Sequence, residues 1–124
     1  MAGPSAGAQS ANKDGLGGRD TLESFQNAEF RLLTTGDSFT HRKQDGLTIP
    51  DVIAEQIADR TSLRTANLNF GRGTYGVLQM LSMAATQAVA LSPDVVVIEF
   101  ISDDLTRGVG GRASCPTVAA SGLK

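Results

Sequence analysis

A short apolar run, Leu32-Leu33-Thr34-Thr35, stops on Gly36-Asp37-Ser38. A glycine, a carboxylate and a hydroxyl at that point allow two readings. One is an ordinary strand-ending turn, for which Gly, Asp and Ser are common choices. The other is a nucleophile at the rim of a sheet, where an exposed Ser38 hydroxyl attacks a carbonyl if a base takes its proton. The acidic residues offer a further possibility. Asp37, Asp103 and Asp104 could converge as oxygen ligands for Mg²⁺, making a receiver-like or phosphate-handling module. His41 lies three residues after Ser38 and is the only histidine of the chain, so it reads first as a loop residue and second as a base.

These residues need elements to hold them. FRLLTT over 30–35 reads as a strand, and residues 48–60 read as a helix. Thr48 and Asp51 fit a capping box, Pro50 suits the first turn, and Val52, Ile53, Ala54 and Ile57 form an apolar face. LRTANLNFG is a second strand, with Ala66 and Leu68 alternating against polar neighbours. Residues 74–92 give a longer helix whose apolar face is Val77, Leu78, Leu81, Ala85, Ala88 and Val89, with Met80 and Met83 filling gaps or flanking it. Residues 93–102, PDVVVIEFIS, make a strand that is apolar on both faces, as a buried parallel strand should be. The pattern β-α-β-α-β predicts an α/β fold, a flavodoxin-like three-layer parallel sheet with strand order 2-1-3. That order brings Gly36–Ser38, the loop Asn69–Gly76 and Ser102–Leu105 to one rim, at the switch point.

Three stretches in this order resemble the sequence blocks of the GDSL, or SGNH, hydrolases, a family of serine esterases and lipases. TTGDSFT resembles the first block, NLNFGRGTYGVLQ the second and PDVVVIEFISDDL the third. The resemblance implies ester or acyl hydrolysis through an acyl-serine intermediate, with Ser38 as catalytic nucleophile. Asp37 and Asn69 would support the site, and Ser38 and a second-block glycine would donate N–H groups to the oxyanion. The family's glycine falls near Thr74, which leaves Gly73 favoured and Gly71 as the alternative. Asp103 stands where the family has the oxyanion-hole Asn, and an ionised carboxylate there only accepts. The family's Asp-x-x-His block is absent. The expectation is therefore a fold incomplete at its C-terminus, from a truncated and weakly active or inactive form. The alternative is a non-catalytic fragment that binds a partner through its open sheet edge. The family implies no metal or organic cofactor, and a small-molecule, carbohydrate or lipid ester as substrate.

Composition bounds the rest. At 124 residues the chain suits one domain, and its 40% hydrophobic residues concentrate between Phe30 and Leu105. Net charge is −2 with no basic stripe, which argues against nucleic acid as partner. The lone Cys115 excludes an intrachain disulfide and a multi-cysteine metal site, and the lone His41 excludes a His-rich zinc site. No apolar run reaches membrane-spanning length and no basic-then-apolar leader opens the chain, so the default expectation is cytoplasmic, with no membrane. Residues 1–20 read as a disordered lead, 21–107 as the partial hydrolase-like domain and 108–124 as an irregular tail. Oligomeric state is open.

Overall fold

In the computed structural model, residues 11–106 are described. The elements are α1 (Leu22–Gln26), β1 (Phe30–Gly36), α2 (Ser38–His41), α3 (Ile49–Thr61), β2 (Thr65–Asn69), α4 (Val77–Leu91), β3 (Val95–Glu99) and a 3₁₀ turn (Ser102–Leu105). The three strands are parallel in the order β2-β1-β3, the expected order, with Leu32 opposite Asn67 on one side and Val95 on the other. The fold is α/β.

Successive residues of a strand face opposite sides, and two threonines of β1 show which helix covers which. Thr34 Oγ1 bonds Asn67 Oδ1 at 2.8 Å, and Asn67 Nδ2 donates to the Pro50 carbonyl of α3. Thr35 Oγ1 donates to the Met80 carbonyl of α4. Hence α3 and α4 lie on opposite faces, and β1 is buried between them from Leu32 to Gly36. Both helices end on a serine in the left-handed conformation, Ser62 and Ser92, whose N–H closes the last turn.

Helix α3 begins as expected. Thr48 Oγ1 accepts from Asp51 N, and Asp51 Oδ2 accepts from Thr48 N at 2.9 Å. Its buried face differs from the expected one: Pro50, Asp51 and Ala54 are buried, while Val52 is exposed and Ile53 and Ile57 are half-buried. Small residues let the helix lie close on β2, and Asp51 is buried because its Oδ1 also holds Arg19 N at 3.0 Å. A similar correction applies to α4. Its core contacts are Met80 and Ala84, whereas Leu78, Leu81 and Val89 of the expected face are exposed. No charged residue occurs from Val77 to Leu91, so periodicity had no polar face against which to fix the inner one. Met83 flanks the helix, half-buried.

Two further expectations change. Strand β3 is not buried on both faces: Val95 and Val96 are exposed and the remaining residues half-buried, because no strand pairs with its outer edge among the described residues. The disordered lead over 1–20 is wrong for residues 11–20. Asn12 organises a loop there, its Oδ1 accepting from Asp14 N and Leu16 N and its Nδ2 donating to Gly18 O and Asp20 O. The loop straps the free edge of β2: Gly17 N donates to Asn69 O, and Asp20 Oδ2 takes Asn67 N. Leu16 enters a core cluster with Phe25, Ala66 and Leu68. Composition read this segment as unstructured, but Asn12, Leu16 and the bonds of Gly17, Arg19 and Asp20 to β2 and α3 order it. Residues 1–10 and the tail 108–124 lie outside the described residues, as does Arg107. Among the described residues no helix is long and apolar enough to cross a membrane.

The strap is a structural part of the domain. Leu16→Ala is expected to destabilise the protein by about 2 kcal/mol in urea unfolding, from lost burial plus a residual cavity. An unchanged midpoint would mean that residues 11–20 do not hold β2.

Candidate functional site

The three rim loops meet over the carboxyl end of β1. Phe70 N donates to Thr34 O, and Arg72 N donates to Gly36 O at 3.0 Å, so the second-block loop continues along β1 past the end of β2. Ser38 is the first residue of α2 and is exposed. The residue before it is not: Asp37 is 1% exposed and caps the turn, its Oδ1 accepting from Phe39 N at 2.8 Å. The cap directs the chain from strand to helix and leaves the Ser38 side chain at the surface.

Gly73 lies directly beside the serine. A Cβ placed on Gly73 would sit 3.8 Å from Ser38 Cβ. Gly71 has a different place. Its N–H is donated to Asn69 Oδ1 at 2.8 Å, and a Cβ there would come within 2.7 Å of Thr40. Asn69 is buried too, with Nδ2 donating to Thr40 O at 2.9 Å. Gly71 and Asn69 therefore spend their polar groups on the loop itself, and of the two candidate glycines only Gly73 faces Ser38 openly.

Thr74 carries the loop's backbone strain. It has φ 72°, a left-handed conformation that costs a β-branched residue and that glycine adopts freely. Tyr75 N donates to Arg72 O across this turn, which puts Thr74 at the position where a type II turn favours glycine. Gln79, one turn into α4, accepts from Gly76 N and fixes the loop's exit.

Asp37 and Asp104 face each other as two carboxyl groups, 1% and 0% exposed. Burial pushes the Asp37 carboxyl above its ordinary range, and a hydrogen bond to Asp104 pushes it the same way, while the Phe39 N–H works against both. Both effects favour the protonated form of Asp37 relative to a lone surface carboxyl. Asp104 Oδ2 also accepts from Ile101 N at 3.0 Å, which ties the turn after β3 to the turn after β1. Asp103 is exposed, unlike these two. Its expected convergence with them on Mg²⁺ is not realised: among the described residues no group of three or more His, Cys, Asp or Glu side chains is placed to hold a metal ion.

Thr40 and Glu99, which sequence alone did not single out, hold the rim together. Thr40 is fully buried and its Oγ1 donates to Glu99 Oε1 at 2.5 Å. It packs on Gly36 and Gly71, where any side chain would overlap it. The legible signal was Glu99, one carboxylate in an otherwise apolar Val95–Phe100 run. His41 packs against Gly17, where a Cβ would come within 2.5 Å of its Nδ1. That nitrogen is buried without a hydrogen-bond partner. Burial holds the imidazole below its ordinary pKa, with Arg72 and Lys43 acting the same way. Among the described residues no carboxylate orients the ring through Nδ1, as a triad base requires.

Beside Ser38 on α2, Phe39 opens onto a groove of about 520 Å³. Arg42, Leu47, Ile49, Val52 and Ile53 line it with Phe39, and the Arg42 guanidinium lies 5.2 Å from the Phe39 ring centre. Comparisons with protein-family models, with curated proteins and with solved structures find no match for this chain.

Two outcomes follow from this geometry. Thr74→Gly is expected to raise stability by about 1 kcal/mol, through relief of left-handed strain offset by added chain entropy; a fall in the melting temperature would show that the Thr74 side chain holds the loop. The acid pair gives a pH signature. The folded pKa of Asp37 is raised above the ordinary 3.8, so its contribution to stability is complete below pH 3.8 and is lost as pH rises through the folded value. Asp37→Asn, which keeps the cap and can donate to Asp104, is expected to remove that slope from a stability–pH curve. Parallel curves for the two proteins would refute proton sharing.

Proposed function

We propose that this chain carries a serine acyl-hydrolase site of the GDSL, or SGNH, type, with Ser38 as nucleophile. The observation that carries the reading is the pairing of an exposed Ser38, at the turn from β1 into α2, with Gly73 set against it. The resemblance of the three sequence blocks is the second support. The left-handed Thr74, near which the family's second-block glycine falls, is a third.

In this reading Ser38 Oγ attacks the carbonyl carbon of an ester. The Oγ–acyl bond forms, the ester C–O bond breaks and the alcohol leaves with the serine proton. Water then attacks the acyl-serine and releases the acid. Backbone N–H groups of Ser38 and Gly73 would stabilise the tetrahedral oxyanion, a task for fixed donors in close approach. Asp103 would not join them while ionised. Asp37 and Asp104 act as positioning residues that hold the two turns together. The groove beside Phe39 suits the apolar part of an ester, of a small molecule, a carbohydrate or a lipid. No metal or organic cofactor enters this chemistry.

The weak point of the machinery is its base. His41 lacks an orienting carboxylate, and no other histidine exists in the chain. Turnover is therefore expected to be slow, because both acylation and deacylation need that base. A fluorophosphonate probe tests the serine directly. The wild-type protein should be labelled at Ser38, as mapped by peptide mass spectrometry, and Ser38→Ala should not be labelled. Labelling at or below the rate of an unrelated surface serine would mean that Ser38 only ends a strand.

A further inference from the structure

The outer edge of β3 and one flank of α4 both leave apolar side chains open. Val95, Val96, Phe100 and Ile101 are 37–48% exposed. On α4, Leu78 and Leu81 are similarly open and Val89 is 86% exposed. With exposed Ala85 they form one stripe, spaced three, four and four residues apart. Edge strands are ordinarily protected by lysine, proline, a bulge or a covering element. Residues Val95–Glu99 have none of these among the described residues.

Helical geometry places the stripe. At 3.6 residues per turn it lies roughly a third of a turn from Met80 and Ala84, on the clockwise side seen from the N-terminus of α4. The right-handed crossover from β2 through α4 to β3 makes that the β3 side. Ser82 and Thr86 lie beyond it toward solvent, while Gln87, seven residues after Met80, returns to the sheet-facing side and is half-buried. The flank toward the open edge is therefore apolar, with Ser82 and Thr86 on the outer side beyond it.

We propose that this surface is the interface of a two-fold homodimer, in which β3 pairs antiparallel with β3 of a second copy to make a six-stranded sheet. The register centres on Val97. Val96 then faces Ile98 of the partner, and Val95 faces Glu99 of the partner. Asp94 falls opposite Phe100, so no like charges meet, and the two carboxylates are already engaged: Asp94 Oδ2 takes Arg31 N and Glu99 takes Thr40 Oγ1. The same operation closes the helical layer. Helix α4 packs over the boundary of β1 and β3, about one strand spacing from the two-fold axis. Its copy then lies about 10 Å away, the ordinary distance between packed helices. The Leu78, Leu81, Ala85 and Val89 stripes meet across the axis, so one symmetry operation covers strand edge and helix flank together. This interface does not depend on the hydrolase reading.

Sedimentation equilibrium of the full 124-residue chain tests it, with circular dichroism as the check on folding. The expected result is a monomer–dimer equilibrium at micromolar concentration. Val97→Lys at the sheet edge and Leu81→Glu on the helix flank should each weaken it roughly tenfold or more, with the helical signal retained. Leu81→Glu leaves every strand residue in place, so loss of the dimer there is not a failure to fold. A monomer at about 100 µM would overturn the proposal, since a specific interface of this kind associates well below that. Open-ended assembly, or a dimer that survives either substitution, would overturn it as well.

Discussion

Thr40 is the point at which the three strands are joined beyond their hydrogen-bond ladders. Its hydroxyl reaches Glu99 at the end of β3, its carbonyl takes the side chain of Asn69 at the end of β2, and its body fills the space over Gly36 at the end of β1. Without the methyl and hydroxyl in that space the loops would have no common reference. Two glycines make the fit possible, because a Cβ on Gly36 or Gly71 would overlap the threonine. The short helix α2 is set by this contact, and Ser38 takes its place from α2. A buried hydrogen bond to a charged acceptor is stronger than a neutral one and costly to leave unmade. The rim is accordingly held by contacts of Thr40 with all three strand ends.

The middle of the domain is polar for its depth. Thr34, Thr35, Asn67, Asn69, Asp37, Asp51 and Asp104 are all 0–1% exposed, and each works as a connector. Thr34 and Asn67 tie the sheet to α3, and Thr35 ties it to α4. Asp51 joins the start of α3 to the N-terminal strap, and Asp37 with Asp104 joins the turn after β1 to the turn after β3. Such groups add little net stability when paired, but they penalise every alternative arrangement in which they are unpaired. A domain with few large core side chains gains a unique structure by that route. The apolar surface not used in this core is displaced outward, to β3 and the flank of α4, where it is available for association.

These two features explain why the site is better defined than its chemistry. Positioning comes from backbone turns, caps and buried carboxyls, all of which lie within residues 11–106. Activation of a serine needs a mobile proton acceptor with an oriented ring, and His41 is instead packed into the strap beside Gly17. The geometry thus fixes the place of Ser38 without setting an oriented imidazole beside it among the described residues.

Local chemistry was legible in the sequence. The capping box of Thr48 and Asp51, the strand before Gly36, the strand after Pro93 and the alternation that gives a 2-1-3 sheet depend on neighbours in the chain, and neighbours can be read directly. The gathering of Gly36–Ser38 with the second and third loops followed from that topology. What tertiary structure alone decided was which surface turns inward. Helix α4 has no charge to mark its outer side, so Met80 and Ala84 face the sheet where periodicity pointed to Leu78, Leu81 and Val89. Val52 of α3 gave way to Asp51 because a backbone N–H from residue 19 was waiting for the carboxylate. Gly71 and Gly73 differ through Thr40, which occupies the space over the first and not the second. In each case the deciding partner is distant in sequence or uncharged, and neither kind of contact leaves a periodic trace in the chain.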